Sequence, residues 1–254
     1  MCSSDLPVGG DTVGAVNSET WNRVQDMKMG LDQVQTLLNA LPNGTQYASS
    51  GYEVAAGFSF GGATAQIAGG VELKNNVGTV VNWGDARFDA VIDLSAGGTG
   101  IYGFFNDGAT TSWSNFTKPL LVTAGEKDRS ANGGNYQTKL DPFDFAPATG
   151  GKHAFVWYGA DHNDFSGGSG ANLTRSAEIN DVTKEFLYAY AYNSTPDLAL
   201  LQDVDNLLAT GYYPNLWQAH YAETAKGNTV SGTSSADLIV GGSYNDTLLG
   251  NGGA

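Results

Sequence analysis

A serine lies between two glycines at Gly57-Phe58-Ser59-Phe60-Gly61, directly after an apolar run and directly before a run of small residues. This arrangement is the sequence form of a nucleophile elbow, a sharp turn from strand to helix in which the serine backbone is strained. Because side chains two positions before and after the serine would clash, glycine is expected at both positions. The pattern therefore predicts a short buried strand at Tyr52–Ala56 and a helix at Ala63–Ala68.

A nucleophilic serine needs a histidine to accept its proton and a carboxylate to orient that histidine. The apolar run 119–124 is of strand length and is followed by Asp128, and the run 154–158 is followed by a loop that contains His162. The carboxyl ends of parallel strands meet at one edge of a sheet, where α/β proteins build their sites. The sequence thus predicts Ser59 as nucleophile, Asp128 as acid and His162 as general base.

Other interpretations of these residue types stay open. Glu126 and Asp93 are rival acids, since each also follows or ends a predicted strand. His153 lies at the start of its strand and His220 in a helix-like segment, and both are interpreted as structural. A serine in a glycine-rich turn or an aspartate at a helix cap is common without catalysis. Three candidates in the order serine, acid, histidine favour the catalytic interpretation.

From about Trp21 to Tyr192 the chain resembles the α/β-hydrolases, and among them the dienelactone hydrolases and related carboxylesterases. The segments that carry this resemblance are 56–62, 88–94, 118–128 and 159–165. The resemblance implies a sheet flanked by helices and ester cleavage through an acyl-enzyme, without a catalytic metal. It also implies that the backbone N–H of Phe60 donates one hydrogen bond to the oxyanion.

The amino-terminal part departs from the family pattern. Only fifty-eight residues precede Ser59, and much of that length is one predicted helix with a stripe of Val24, Met27, Leu31, Val34, Leu38 and Leu41, stopped by Pro42 and Gly44. Residues 5–12 look like a loop that follows the fourth strand in related hydrolases. We therefore expect the first strands to be missing, and with them the second oxyanion donor, a loss of roughly a hundredfold or more in turnover.

A nine-residue period runs through 232–240, 241–249 and 250–254, with glycine, aspartate and an aliphatic residue at fixed places. It resembles the haemolysin-type calcium-binding nonapeptide, which implies the start of a parallel β-roll with Asp237 and Asp246 as calcium ligands in an intact array. So few repeats predict little or no calcium bound by this chain, and a flexible glycine-rich tail is the alternative. The predicted division is a hydrolase domain at 1–225 and repeats at 226–254.

The apolar residues of two further segments predict a substrate pocket and the last helices. The stretch 96–113 follows a predicted strand, and Tyr102, Phe104 and Phe105 are expected to line a substrate pocket there, with Ile101 beside them. A stripe of Ile179, Val182, Phe186 and Tyr190 predicts the last helix that packs on the sheet, and Leu198–Leu208 predicts one further short helix.

Composition limits the partners. The net charge of −14 argues against nucleic acid and anionic membranes, and the sequence has no run of eighteen apolar residues that would insert stably in a membrane. A single cysteine, Cys2, excludes an internal disulfide. We expect a monomer. Secretion by a type I route is implied by the nonapeptide resemblance alone.

The leading prediction is a secreted serine hydrolase that acts on carboxylic esters, lipids and polyesters among them. A peptidase or amidase with the same triad is weaker, because nothing in the sequence indicates an added domain for selecting peptides. From another class, the chain could be a catalytically inactive, calcium-dependent adhesion or matrix protein that retains the fold.

Overall fold

The computed structural model describes residues 13–42, 51–75, 78–106, 111–129, 135–222, 229–231 and 247–249. In chain order the strands are β1 (Glu53–Phe58), β2 (Leu73–Lys74), β3 (Val80–Val81), β4 (Phe88–Leu94), β5 (Leu120–Gly125), β6 (Lys152–Trp157), β7 (Leu216–Ala222), β8 (Thr229–Ser231) and β9 (Thr247–Leu249). The helices are α1 (Val13–Ala40), α2 (Phe60–Gly69), α3 (Asp141–Phe145), α4 (Leu173–Ala191), α5 (Thr195–Gln202) and α6 (Val204–Ala209), with 3₁₀ helices at Tyr136–Lys139 and His162–Phe165.

Five strands form the central sheet in the order β1-β4-β5-β6-β7. The first four are parallel, and β7 runs antiparallel to β6. Among the described residues, β1 therefore forms one edge of the sheet and pairs only with β4. The predicted α/β class is confirmed as a mostly parallel central sheet flanked by helices.

The strand pattern explains why both faces of this sheet are covered. Every residue of β5 and of β6 is buried, as expected for parallel strands with helices on both sides. Alternate residues enter two separate apolar clusters: Val122 and Val156 contribute to the cluster with α1 and α2, and Leu121 and Phe155 to the cluster with α4, α5 and α6. The sheet thus separates two cores and holds its strand ends rigidly.

Helix α4 begins and helix α2 ends at a residue that satisfies terminal backbone groups. The Asn172 side chain accepts hydrogen bonds from the backbone N–H groups of Thr174 and Arg175 at the start of α4. Helix α2 ends at Gly70, whose left-handed backbone lets its N–H reach the carbonyls of Gln66 and Ile67. The predicted stripe of α4 is buried at Ile179, Val182 and Phe186, which confirms this helix.

Helix α1 confirms the predicted amino-terminal helix, which ends at Ala40, just before Pro42. Only the first part of its stripe is covered: Val24 is buried and Met27 and Leu31 pack on the core, whereas Val34 and Leu41 are exposed. Residues 5–12, predicted as a loop, lie outside the described residues.

Two expectations about the later part of the chain were wrong. The segment predicted as one helix is two, because Asp203 ends α5 and its side chain accepts a hydrogen bond from the Asn206 N–H at the start of α6. His220 lies in strand β7 and not in a helix, since Gln218–Ala222 pair continuously with β6 and Leu216 pairs with Trp157 beyond a register shift. The ladder with β6 thus outweighs the helix-like pattern of the local sequence.

The described part of the tail is a pair of short parallel strands, β8 and β9, in which Val230 pairs with Leu248 in the backbone register. These partners are two periods of the nine-residue pattern apart. Asp237 and Asp246 lie outside the described residues, so the calcium prediction stays a prediction. None of the helices in the described ranges is long and apolar enough to cross a membrane.

Candidate active site

Ser59 occupies a strained turn between β1 and α2. Its backbone has φ 56° and ψ −126°, in a region that non-glycine residues rarely adopt. The turn is tight because a Cβ atom on Gly57 would lie 2.1 Å from the carbonyl oxygen of Gly61. As the first residue of α2, Phe60 has a backbone N–H outside the intrahelical hydrogen-bond ladder.

The requirement for glycine differs from the expectation on one side of the serine. A Cβ atom on Gly61 would meet nothing within 4 Å, so the predicted clash at that position was wrong. The next residue, Gly62, is the constrained one, because its Cβ would lie 2.6 Å from Asp93 Oδ1. Helix α2 packs closely on β4 at Gly62. Glycine is therefore required there by the contact between helix and sheet, and not by the turn itself.

The three predicted residues lie in one hydrogen-bonded chain. Ser59 Oγ is 2.8 Å from His162 Nε2, and His162 Nδ1 is 3.0 Å from Asp128 Oδ1 and 3.2 Å from Asp128 Oδ2. Because a carboxylate only accepts, Nδ1 carries the proton and Nε2 is left to accept from the serine hydroxyl. The His162 side chain is 39% exposed and that of Asp128 0%, so solvent reaches the imidazole and not the acid.

The loop that carries His162 is anchored at both ends. Asp161 and Asp164 form a capping box around the 3₁₀ helix His162–Phe165. Asp164 is buried and accepts a hydrogen bond from Arg175 Nε at 2.6 Å, which ties the loop to α4. The imidazole also packs on the Phe58 ring, with 4.6 Å between ring centroids. These contacts fix the direction in which His162 points.

The rival acids make other contacts. Glu126 accepts a hydrogen bond from the Gly159 N–H. Asp93 is buried under the site, where its carboxylate accepts from Gln66 Nε2 at 2.8 Å and from the Ala96 N–H at 2.7 Å. Burial raises the pKa of Asp93 to about 7, against the opposing effects of these hydrogen bonds. The structure places Asp128, and neither rival, against His162.

The sequence patterns did not predict two residues that lie at this site. Ser95 follows β4 with a left-handed backbone at φ 59°, and its hydroxyl donates to Asp128 Oδ2. Lys139 ends the 3₁₀ helix Tyr136–Lys139, and its ammonium group is 3.3 Å from Asp128 Oδ1. Neither belongs to a motif. The position of Ser95 directly after a buried parallel strand was the only available signal.

The aromatic residues predicted to line a pocket separate into two groups. The Tyr102 hydroxyl accepts a hydrogen bond from the Gly97 N–H at 3.2 Å. Burial raises the pKa of Tyr102 to about 12, while hydrogen bonds with the Gly97 backbone and the Ser59 side chain act in the opposite direction. Phe104 and Phe105 are buried in the core, and Phe104 stacks on Tyr102 with 5.3 Å between ring centroids.

The described residues contain no cluster of three or more histidine, cysteine or acidic side chains that could hold a metal ion. In comparisons with known proteins, no family model matches the chain and no curated protein matches it significantly. The hydrogen-bonded chain of Ser59, His162 and Asp128 is therefore the basis for a functional proposal.

The turn gives a matched pair of glycine substitutions. We expect Gly57→Ala to lower the free energy of unfolding by about 2–3 kcal/mol, because the new Cβ would overlap a backbone carbonyl that cannot move alone. Gly61→Ala should change it by less than about 1 kcal/mol, since space is open there. Urea denaturation measures both, and equal effects of the two variants would contradict this description of the turn.

The buried carboxyl of Asp93 predicts a pH dependence of stability. Its pKa is raised to about 7, so protonated Asp93 stabilises the fold fully below about pH 4, and this contribution is lost as pH rises through 7. Asparagine does not ionise. The free energy of unfolding of Asp93→Asn minus that of the unsubstituted protein should therefore increase as pH rises from 4 to 7, as measured by urea denaturation.

Asp85 supplies the control for this pH experiment. Its hydrogen bond with Arg87 lowers its pKa to about 2, so its contribution changes only below about pH 4. The stability difference between Asp85→Asn and the unsubstituted protein should therefore stay constant from pH 4 to 7. A constant difference for Asp93→Asn as well would show that Asp93 does not titrate in this range.

Proposed function

We propose that this protein is a serine hydrolase of the α/β-hydrolase type that cleaves carboxylic esters. The observation that carries the proposal is the hydrogen-bonded chain from Ser59 Oγ through His162 to Asp128, with 2.8 Å and 3.0 Å at its two links. A strained serine at the start of a helix, a partly exposed histidine and a buried carboxylate together support nucleophilic catalysis.

In the acylation step, Ser59 Oγ attacks the carbonyl carbon of the ester while His162 Nε2 takes the hydroxyl proton. The Asp128 carboxylate holds the Nδ1–H and stabilises the imidazolium that forms. The tetrahedral intermediate collapses when the C–O bond to the alcohol breaks and His162 returns the proton to the leaving oxygen. Water then attacks the acyl-serine with His162 again as base; the bond between the acyl carbon and Ser59 Oγ breaks as His162 returns the proton to that oxygen, and the acid is released.

The negative charge on the carbonyl oxygen needs hydrogen-bond donors. The Phe60 N–H at the amino terminus of α2 is the first candidate, since the helix dipole also favours an anion there. The aromatic side chains of Phe58, Phe60 and Tyr102 border the serine and offer an apolar surface to the substrate. This environment supports an ester with an apolar part, and the acyl and alcohol groups stay open.

Active-site labelling tests the proposed function. We expect a fluorophosphonate probe to modify the folded protein at Ser59, located by peptide mass spectrometry, because His162 Nε2 accepts a hydrogen bond from that hydroxyl. The same protein should hydrolyse short p-nitrophenyl esters. Ser59→Ala should lose both labelling and turnover, the latter by about a thousandfold or more.

Ser169, an exposed serine in the loop after His162, provides the control. Ser169→Ala should label and turn over as the unsubstituted protein does, whereas heat-denatured protein should not label. Failure of the folded, unsubstituted protein to label would contradict the proposal. The calcium-dependent structural protein predicted as the alternative would then be the better account.

A further inference from the structure

We propose that Lys139 is a positioning residue of the catalytic triad, which fixes the Asp128 carboxylate and makes the His162 imidazole harder to protonate. This inference builds on the proposed function, because it assigns a role in the same reaction to a residue outside the triad. It depends on the contacts of one buried ammonium group.

The ammonium group of Lys139 has three N–H donors and three close acceptors. Its Nζ lies 3.3 Å from Asp128 Oδ1, 3.2 Å from Ser95 Oγ and 3.1 Å from the Ser95 carbonyl oxygen. The side chains of Lys139 and Asp128 are 3% and 0% exposed, so solvent screens this ion pair weakly. A charge buried in this way is tolerated because two hydrogen bonds and an ion pair compensate it.

Ser95 connects the two charges. Its hydroxyl accepts a hydrogen bond from Lys139 and donates one to Asp128 Oδ2, and it lies 3.3 Å from His162 Nδ1. Asp128 thereby receives hydrogen bonds from Ser95 and His162 and forms an ion pair with Lys139, and these contacts use both of its oxygens. The carboxylate has little freedom to rotate away from the imidazole.

The segment that carries Lys139 is itself held in place. A Cβ atom on Gly98 would lie 1.9 Å from the Thr138 carbonyl oxygen, so the loop after β4 packs directly on this 3₁₀ helix. The Thr99 N–H donates to Asp141 Oδ2 at 2.8 Å and joins the same two segments. The ammonium position is thus set before substrate binds, as an efficient catalytic arrangement requires.

The charge of Lys139 has a predictable effect on the base. The Lys139 ammonium group and the His162 Nδ1 both lie against the Asp128 carboxylate, so the positive charge of Lys139 opposes a second positive charge on the imidazole. Among the described residues, Asp93 and Tyr102 are coupled to this cluster: Lys139 acts to lower the pKa of Asp93, and Asp128 acts to raise the pKa of both. Removal of the Lys139 charge should therefore leave His162 protonated to a higher pH.

The test uses Lys139→Met, which keeps the length of the side chain and removes the charge, beside Lys139→Arg, which keeps the charge. In an NMR titration, the His162 ring signals of Lys139→Met should change at a higher pH than those of the unsubstituted protein. Comparison with His162→Gln assigns the signals among the three histidines of the chain. Lys139→Arg should titrate close to the unsubstituted protein.

Kinetics with a p-nitrophenyl ester give the second measurement. The acidic limb of the kcat/KM profile should shift upward with the NMR midpoint in Lys139→Met, and kcat should fall about tenfold with KM little changed. Lys152→Met is the control, because Lys152 is also buried but lies at the start of β6 beside Phe116. It should lose stability without a shift of the profile.

The outcomes separate this inference from the proposed function. If His162 titrates at the same pH in Lys139→Met and in the unsubstituted protein, the role of Lys139 is overturned, whether or not esters are cleaved. Should the unsubstituted protein fail to label at Ser59 while the NMR midpoint still shifts, the electrostatic coupling stands and the proposed function fails. A shift of equal size in Lys152→Met would also overturn the inference, because it would reflect a general loss of packing.

Discussion

The buried carboxylate of Asp128 connects the parts of this site. It accepts hydrogen bonds from His162 and Ser95 and forms an ion pair with Lys139; these residues come from the loop after β6, the end of β4 and a 3₁₀ helix after β5. A carboxylate without solvent is costly unless such partners compensate it. Burial of this carboxylate therefore depends on contacts from all three segments, and the histidine is oriented by the same contacts.

The sheet explains why these segments meet. The four parallel strands end at one edge, and each is followed by a residue of the site: Ser59 after β1, Ser95 after β4, Asp128 after β5 and His162 after β6. Ser59 and Ser95 both have a left-handed backbone at this edge. Such strain persists only where surrounding packing enforces it, and it is frequent at functional sites.

The sequence allowed the central part of this arrangement to be predicted, because Ser59, Asp128 and His162 each follow an apolar run of strand length. It did not indicate Lys139, since a lysine that meets its acid only in the folded chain leaves no local pattern. The same reason explains His220, whose strand depends on pairing with β6, and Gly62, whose constraint comes from the close approach of α2 to Asp93. Local sequence patterns thus predicted the strands and the residues that follow them, whereas contacts between distant segments could not be predicted.

The most direct test of the central claim is to trap the covalent intermediate. The protein would be mixed with p-nitrophenyl butyrate, quenched in acid within milliseconds to seconds, and measured as an intact chain by mass spectrometry. The proposed acyl-enzyme mechanism predicts a mass increase of one butyryl group, located on Ser59, that forms together with a burst of p-nitrophenol. Release of p-nitrophenol without an acylated chain, or with the acyl group on another residue, would contradict it.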